Sequence, residues 1–457
     1  MGVKEGVELG SIADVDPGLS FGLRRKILSR GAVIGILGLG YVGLPLLQAF
    51  LTSGFSLVGF DISESRIRQI ASGEISEPGI DSSIFVDDAF AGNLELSWEE
   101  ECLSRADVFI ICVPTPVTRN LVPDTSYISR ACDAIRAHLG SGTEHLVILE
   151  STSYPGTTDI LLRGSLEGES IVLGENLYVA FSPERIDPGN KSYGIRNTPK
   201  LVGGSTARCG EMARALYSSI VDNVVAVSSP AVAEMAKIFE NTYRAVNIAL
   251  ANEFAMLCHR MDLNVWEVLE AAKTKPFGIS VFYPGAGVGG HCIPCDPFYL
   301  SWRAQEFDMP MHFIELAGEI NRRMPHFVVE RVVHLLGERK LAIQGARVGL
   351  VGLAYKPDIG DLREAPALRI AELISVRGGL VSYHDPFVES VDDPEGHWFE
   401  NRCSTPLEEL LEGCDCLVIV TRHSPVDYVL LARSKVPVLD CVNSLSALDG
   451  RENVVAL

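Results

Sequence analysis

Residues 31–60 carry no charged side chain, and their apolar positions fall into groups. Val33-Ile-Gly-Ile-Leu37 reads as a strand buried on both faces, Gly43 to about Thr52 as a helix, and Ser56-Leu-Val-Gly-Phe60 as a second buried strand. The run is long enough to span a bilayer. Gly35, Gly38, Gly40, Gly43, Pro45 and Gly54 break it, so we expect buried strand, turn, helix and strand and no membrane partner. Val108-Phe-Ile-Ile-Cys-Val113, Leu146-Val-Ile-Leu149 and Leu177-Tyr-Val-Ala-Phe181 predict further parallel strands. Each leads into a polar or proline-bearing loop, as at Pro114-Thr-Pro116.

From Ala231 to Arg260 the period changes. Met235, Ile238, Phe239, Thr242, Val246, Ala249, Leu250, Phe254 and Leu257 recur at helical spacing, with no proline or glycine between them. One long helix is expected, with more helix to about Leu269 and from Met311 to Leu336. Arg347-Val-Gly-Leu-Val-Gly-Leu353 then opens a second α/β pattern, continued by Val381-Ser-Tyr-His-Asp385 and Cys416-Leu-Val-Ile-Val-Thr421. The fold class is therefore α/β: two Rossmann-like doubly wound domains joined by a long central helix and a helical middle domain. The expected division is an N-terminal extension over 1–29, a dinucleotide-binding domain over 30–228, a helical centre over 229–336 and a last α/β domain over 337–457.

Composition narrows the classes. A chain of 457 residues exceeds one hydrophobic core. A net charge of −20 with no basic cluster gives no support to nucleic-acid binding, and leaves an anionic substrate to a few placed cations. Eleven cysteines, an odd number without a disulfide-like framework or a secretory signal, point to reduced thiols in the cytoplasm.

Gly38-Leu-Gly40-Tyr-Val-Gly43 stands between the first predicted strand and the first helix, and the second strand ends in Asp61. That is the setting of a dinucleotide fingerprint. The glycines permit a tight turn and the approach of a pyrophosphate, while Asp61 is spaced to bond ribose hydroxyls and repel a 2′-phosphate. Arg66 is placed by the adenosine end, or else is a solvated helix arginine. The second chemical stretch is Gly287-Val-Gly-Gly-His-Cys-Ile-Pro-Cys-Asp296. A single cysteine after such a loop is ordinarily an inert thiol. Here Asp296 stands one helical turn beyond Cys292, and the long helix carries Lys237 and Asn241 four apart, on one face.

These motifs, with Glu150-Ser-Thr152, Ser182-Pro-Glu-Arg185, Gly352-Leu-Ala-Tyr-Lys-Pro357 and Asp361-Leu-Arg-Glu364, occur in an order that resembles the nucleotide-sugar 6-dehydrogenases, the UDP-glucose/GDP-mannose dehydrogenase family. The resemblance runs from about Gly31 to the C-terminus. Ser182-Pro-Glu-Arg-Ile-Asp-Pro-Gly-Asn190 and Lys275-Pro-Phe-Gly278 look most like the UDP-N-acetylglucosamine branch.

The resemblance implies NAD as cofactor, a UDP-sugar as substrate, and two successive oxidations of the sugar C6 alcohol to a carboxylate. Cys292 would attack the intermediate aldehyde, Lys237 and Asn241 would stabilise the oxyanion, and Asp296 would handle protons or orient water. Thr152 and Glu184 carry over as residues near the nicotinamide and the hydrolytic water. Tyr41, Val42, Thr115 and Arg363 join the cofactor-binding set. Lys356 and residues 283–289, with Tyr283, Gly287 and Gly289, are assigned to the UDP-sugar. The family pattern also implies a homodimer or higher homo-oligomer formed through the helical centre.

There are departures. Pro188 stands where UDP-glucose enzymes have a second glutamate, and Pro276-Phe277 where they have an arginine, which favours an N-acetyl sugar over glucose. Cys295 makes a Cys-x-x-Cys with Cys292, but zinc needs two more ligands at suitable spacing, so no metal is expected. Alternatives are a glucose, galacto or manno substrate, a single-step alcohol dehydrogenase with Cys292 structural, and a nucleotide sensor without turnover.

Overall fold

The computed structural model describes residues 22–457 apart from 76, 78, 88, 89, 91, 119, 188, 189, 191, 291, 392–397, 400 and 401. The first sheet has eight strands: β1 (Val33–Leu37), β2 (Ser56–Phe60), β3 (Leu94–Ser97), β4 (Val108–Ile111), β5 (His145–Leu149), β6 (Leu177–Phe181), β7 (Lys200–Gly204) and β8 (Val224–Val227). Their order is β3-β2-β1-β4-β5-β6-β7-β8. Neighbours run parallel except β6 and β7, which are antiparallel. Ile34, Ile36, Val108 and Ile110 face one core, while Leu37, Phe109 and Ile111 face another on the opposite side. Burial on both faces is why these strands read as unbroken apolar runs. The short helix Gly22–Leu28 adds Leu23 and Ile27 to the first core, so the end of the N-terminal extension packs on this sheet.

The second sheet joins β9 (Arg347–Val351), β10 (Leu380–His384), β11 (Cys416–Ile419), β12 (Val438–Asp440) and β13 (Val454–Ala456) in the order β10-β9-β11-β12-β13, all parallel. In both sheets the strand order reverses beside the first strand, at β1/β4 and at β9/β11. Such switch points leave a crevice at the carboxyl ends of the strands, where ligands bind.

Between the sheets lie the central helix Pro230–Arg260, the shorter helix Val265–Lys273, the cysteine helix Cys292–Ala304 and the crossing helix His312–Glu338. The crossing helix sends Met324, Val328, Val332 and Leu335 into one core with Val348 and Leu350 of β9. Ser229 caps the central helix by accepting from the Val232 amide, and Pro230 follows at the first turn. Toward the protein this helix buries Ala233, Ile238, Ala245, Ala249 and Ala255, together with Lys237 and Asn241. Met235, Phe239, Leu250, Phe254 and Leu257 face outward and are exposed. The apolar positions that announced the helix are thus split between the core and a bare surface. Among the described residues no helix is long and apolar enough to cross a membrane.

Candidate active site

The turn after β1 is built for close approach. Gly38 has φ +91°, and a Cβ there would lie 2.8 Å from the Cys112 carbonyl oxygen. At Gly40 an added Cβ would meet nothing within 4 Å, so the turn opens onto free space. The helix Gly43–Thr52 starts there with Val42 at its N-cap and no side-chain cap. The Leu44 amide donates to the Gly40 carbonyl and Pro45 has no N–H, so what the helix end offers an anion is chiefly its dipole. Asp61 accepts from the Leu39 amide at 2.9 Å and the Ser63 amide at 2.9 Å. Arg66 is not a solvated helix arginine. Its Nε donates to the Leu39 carbonyl at 3.0 Å and its guanidinium pairs with Glu77. This open glycine turn, the helix end behind it and the Asp61 carboxylate fit a dinucleotide.

The loops after β4 and β5 are tied together and to the cysteine helix. The Thr115 hydroxyl donates to the Thr152 carbonyl at 2.6 Å, and the Tyr299 hydroxyl donates to the Thr115 carbonyl. Thr115 therefore acts on its loop and keeps no free hydroxyl hydrogen for a ligand.

Four of the expected residues converge. On the central helix, Asn241 Nδ2 donates to Asp296 Oδ2 at 2.6 Å, and Lys237 Nζ donates to the Glu184 carbonyl oxygen at 2.5 Å. Lys237 is 9% exposed and Asp296 1%, so neither is a solvated surface charge. Asp296 Oδ1 is buried with no hydrogen-bond partner. Burial pushes the Asp296 carboxyl up to about 7, against the pull of Lys237 and the Asn241 bond.

Cys292 opens the cysteine helix one turn before Asp296 and is reached by solvent. Crowding by protein, and then the Asp296 charge, push its thiol up to about 11, opposed by Lys237, Arg363 and Arg244. Arg244 lies seven residues beyond Lys237, two turns further on the same face, and was missed in the sequence. Cys295, half-buried, sits on the same turn as Cys292.

The glycine loop before Cys292 meets the second sheet. A Cβ at Gly289 would lie 2.5 Å from Tyr355 Cβ, and the Gly290 amide donates to the Arg363 carbonyl at 2.9 Å. Gly287 sits against Pro366. Arg363 grips Asp361 through two nitrogens and stacks over the Tyr41 ring, 4.3 Å from its centroid. Lys356 pairs with Asp187, across from the first sheet. Two contacts therefore bridge the cleft between the sheets. Tyr283 packs on the shorter helix: its ring stacks on Trp266, and its hydroxyl bonds Glu270 and Lys273. Pro188 and His291 lie outside the described residues.

The second sheet repeats the logic of the first with a different outcome. Asp385 follows β10 as Asp61 follows β2, and accepts from the Leu353 amide at 2.6 Å, as Asp61 does from Leu39. Asp385 is fully enclosed and also accepts from His423 Nε2 at 3.1 Å. The His423 Nδ1 accepts from the Asp358 amide, which fixes the tautomer. That acid is spent on structure and does not face a ribose.

Family models match in sequence along the chain: an NAD-binding domain over residues 32–221, a central domain over 231–323 and a UDP-binding domain over 349–447. The chain is 38% identical to a UDP-N-acetyl-D-mannosamine dehydrogenase of Pyrococcus horikoshii, over 85% of this chain and 89% of that protein. It is 35% identical to a UDP-N-acetyl-D-glucosamine 6-dehydrogenase of Pseudomonas aeruginosa, over 86% and 90%. The solved structure of a UDP-D-ManNAc dehydrogenase from Pyrococcus horikoshii superposes with a TM-score of 0.82 at 34% identity, covering 93% of this chain and 98% of that one. A dinucleotide turn on the first sheet, a second nucleotide-type sheet, and a cysteine helix between them are the parts such enzymes need. The chain belongs to the UDP-glucose/GDP-mannose dehydrogenase family, NAD-dependent oxidoreductases of nucleotide sugars.

Proposed function

We propose that this enzyme oxidises the C6 alcohol of a UDP-N-acetylhexosamine to the carboxylate in two steps, through a thiohemiacetal and a thioester on Cys292. The observation that carries the reading is the convergence of Lys237, Asn241 and Asp296 at the start of the cysteine helix, with Asn241 bonded to Asp296 at 2.6 Å. NAD⁺, when bound, accepts a hydride at each oxidation. Lys237 and Asn241 stabilise negative charge on the C6 oxygen. Asp296, poised near neutrality, takes the thiol proton as Cys292 adds to the aldehyde. Glu184 orients and deprotonates the water that opens the thioester. In the proposed division, residues 30–228 hold the cofactor, 229–336 carry the cysteine and the subunit contact, and 337–457 hold UDP with Lys356. Two NADH per sugar, and a uronate by mass spectrometry, are expected. One NADH and an aldehyde product would leave a single-step dehydrogenase.

The N-acetyl assignment rests on Pro188, outside the described residues, on Pro276-Phe277, and on the relatives. The gluco preference of the sequence motifs and the manno relatives divide the epimers, so all three N-acetyl sugars belong in the test. In competition at equal concentration, the best UDP-N-acetylhexosamine should beat UDP-glucose by roughly ten- to two-hundred-fold in kcat/KM. A win for UDP-glucose would reverse the assignment.

Asp61 predicts NAD⁺ over NADP⁺. A 2′-phosphate beside this carboxylate would put two anions in a partly buried site. Asp61→Asn, which keeps an acceptor for the Leu39 amide, should narrow the ratio of kcat/KM for the two cofactors; an unchanged ratio would mean Asp61 is not at the ribose.

The bare face of the central helix is proposed as the subunit contact. Phe239 is 67% exposed and Leu257 52%, and a row of large apolar side chains open to water is a liability unless another surface covers it. Phe239→Glu with Leu257→Glu should convert the assembly to monomers by light scattering. An unchanged mass would place the interface elsewhere.

A further inference from the structure

Behind Glu184 lies a buried charge cluster that the sequence motifs did not reveal. Lys200 opens β7, and its Nζ sits 2.7 Å from Glu150 Oε2, 3.3 Å from the Pro183 carbonyl and 3.9 Å from Glu184 Oε2. The side chains of Glu150, Lys200 and Glu184 are 0%, 8% and 14% exposed. Glu150 also accepts from the Tyr217 hydroxyl, and Lys200 lies over the Tyr217 ring. Glu184 Oε1 accepts from the Ile186 amide, while Oε2 is buried and has no hydrogen-bond partner. One ammonium thus faces two carboxylates. It bonds one, and holds the other by charge and by the backbone of the preceding residue.

We propose that Lys200 and Glu150 are positioning residues that set the base strength of Glu184, Glu150 doing so by competing for the Lys200 charge. The inference rests on the reading of Glu184 as the base for thioester hydrolysis. When Glu150 is protonated, Lys200 turns its charge on Glu184 and makes it a weaker base. When Glu150 ionises, the ammonium is drawn to the shorter contact and Glu184 becomes a better one. Burial pushes Glu150 up to about 7 against the pull of Lys200, so this exchange falls near neutral pH. The remaining groups around Glu150 are Glu184, Tyr217 and Cys112; burial holds the Tyr217 hydroxyl and the Cys112 thiol well above their ordinary values, so both stay neutral there. Around Glu184, Lys237 is bonded to the main-chain carbonyl and Arg185 is paired with Glu240.

The test is the pH profile of hydrolysis, followed by rapid quench and mass spectrometry of the Cys292-bound acyl group. The wild-type rate should rise through about pH 7, and Glu150→Gln should lose the part of that rise due to Glu150, matching wild type below pH 6. Asp296 titrates in the same range, and its step persists in both proteins, so the difference between the profiles isolates Glu150. Lys200→Met should move the acid limb to higher pH, because the cation that favours the ionised carboxylates is gone. Rates lowered equally at every pH, with unshifted limbs and a lower Tm, would make the cluster purely structural and overturn the proposal. If Lys200→Met does not fold, the near-isosteric Glu150→Gln decides alone. Glu184→Gln separates the two levels of the argument. If its acyl-enzyme hydrolyses at the wild-type rate, the reading of Glu184 fails. If that hydrolysis stops while the Glu150 and Lys200 variants keep the wild-type profile, only the present inference fails.

Discussion

Cys292→Ser should abolish uronate formation while NAD and UDP-sugar still bind. A serine hydroxyl is far less acidic and less nucleophilic than a thiol, and the ester it would form is opened by water more slowly than a thioester. The loss should be large because nothing else on the cysteine helix offers a nucleophile at that turn except Cys295, which is half-buried and pushed up to about 12 by burial and Asp296. Binding should survive, since the cofactor turn and Lys356 belong to the two α/β domains and a serine leaves the 283–289 loop before the helix unchanged. The decisive readings are acid formed per enzyme and ligand affinity by calorimetry. Full turnover to the acid would end the covalent mechanism. Cys295→Ala, in contrast, should stay within a few-fold of wild type; damage equal to that at Cys292 would call for a dithiol function.

Asp296→Asn should lower kcat by about 10²–10⁴-fold, the usual worth of a positioned proton-transfer group, and stabilise the fold at alkaline pH. The Asp296 carboxyl is raised from 3.8 to about 7 by burial. Between those values the folded protein keeps a proton that the unfolded chain has released. The folded state then binds more protons, so stability falls as pH rises through the window and the full penalty stands above it. Asparagine carries no such penalty and keeps an oxygen for the Asn241 amide at the 2.6 Å contact. The variant should melt several degrees above wild type at pH 8, with the gap closing toward pH 5. A variant that melts lower at pH 8 would show that Asp296 is ionised at no cost. Activity and stability should thus move in opposite directions at one residue, a common trade at catalytic positions.

The parts legible in the sequence were those whose local pattern and final burial agree. β1, β2, β4, β5 and β6 are enclosed on both faces, so their apolar runs had one reading. β3 and β8 are only half-buried, and β7 begins with Lys200, whose charge is satisfied by Glu150, fifty residues earlier in the loop just after β5. No local signal announces such a partner. β12 has three residues and takes its burial from the sheet around it. The central helix was visible because periodicity does not depend on what covers each face. Which face is covered was not visible: Phe239 and Ile238 are adjacent and equally apolar, yet one is exposed and the other enclosed. The site was legible where its residues share a turn, as Cys292 and Asp296 do. The joining of Asn241 to Asp296 needed the fold.

The stacking of Arg363 on Tyr41 has a consequence for the timing of the cycle. In the proposed two-step reaction both oxidations would draw on a single dinucleotide turn, so spent cofactor would depart and fresh cofactor arrive between them while the half-oxidised sugar waits. The Arg363–Tyr41 contact ties the second α/β domain to the dinucleotide turn itself, and the Lys356–Asp187 pair makes a second contact across the cleft. For the proposed cycle to retain its sugar, the cofactor-side contact would have to release while the Lys356–Asp187 pair stays shut.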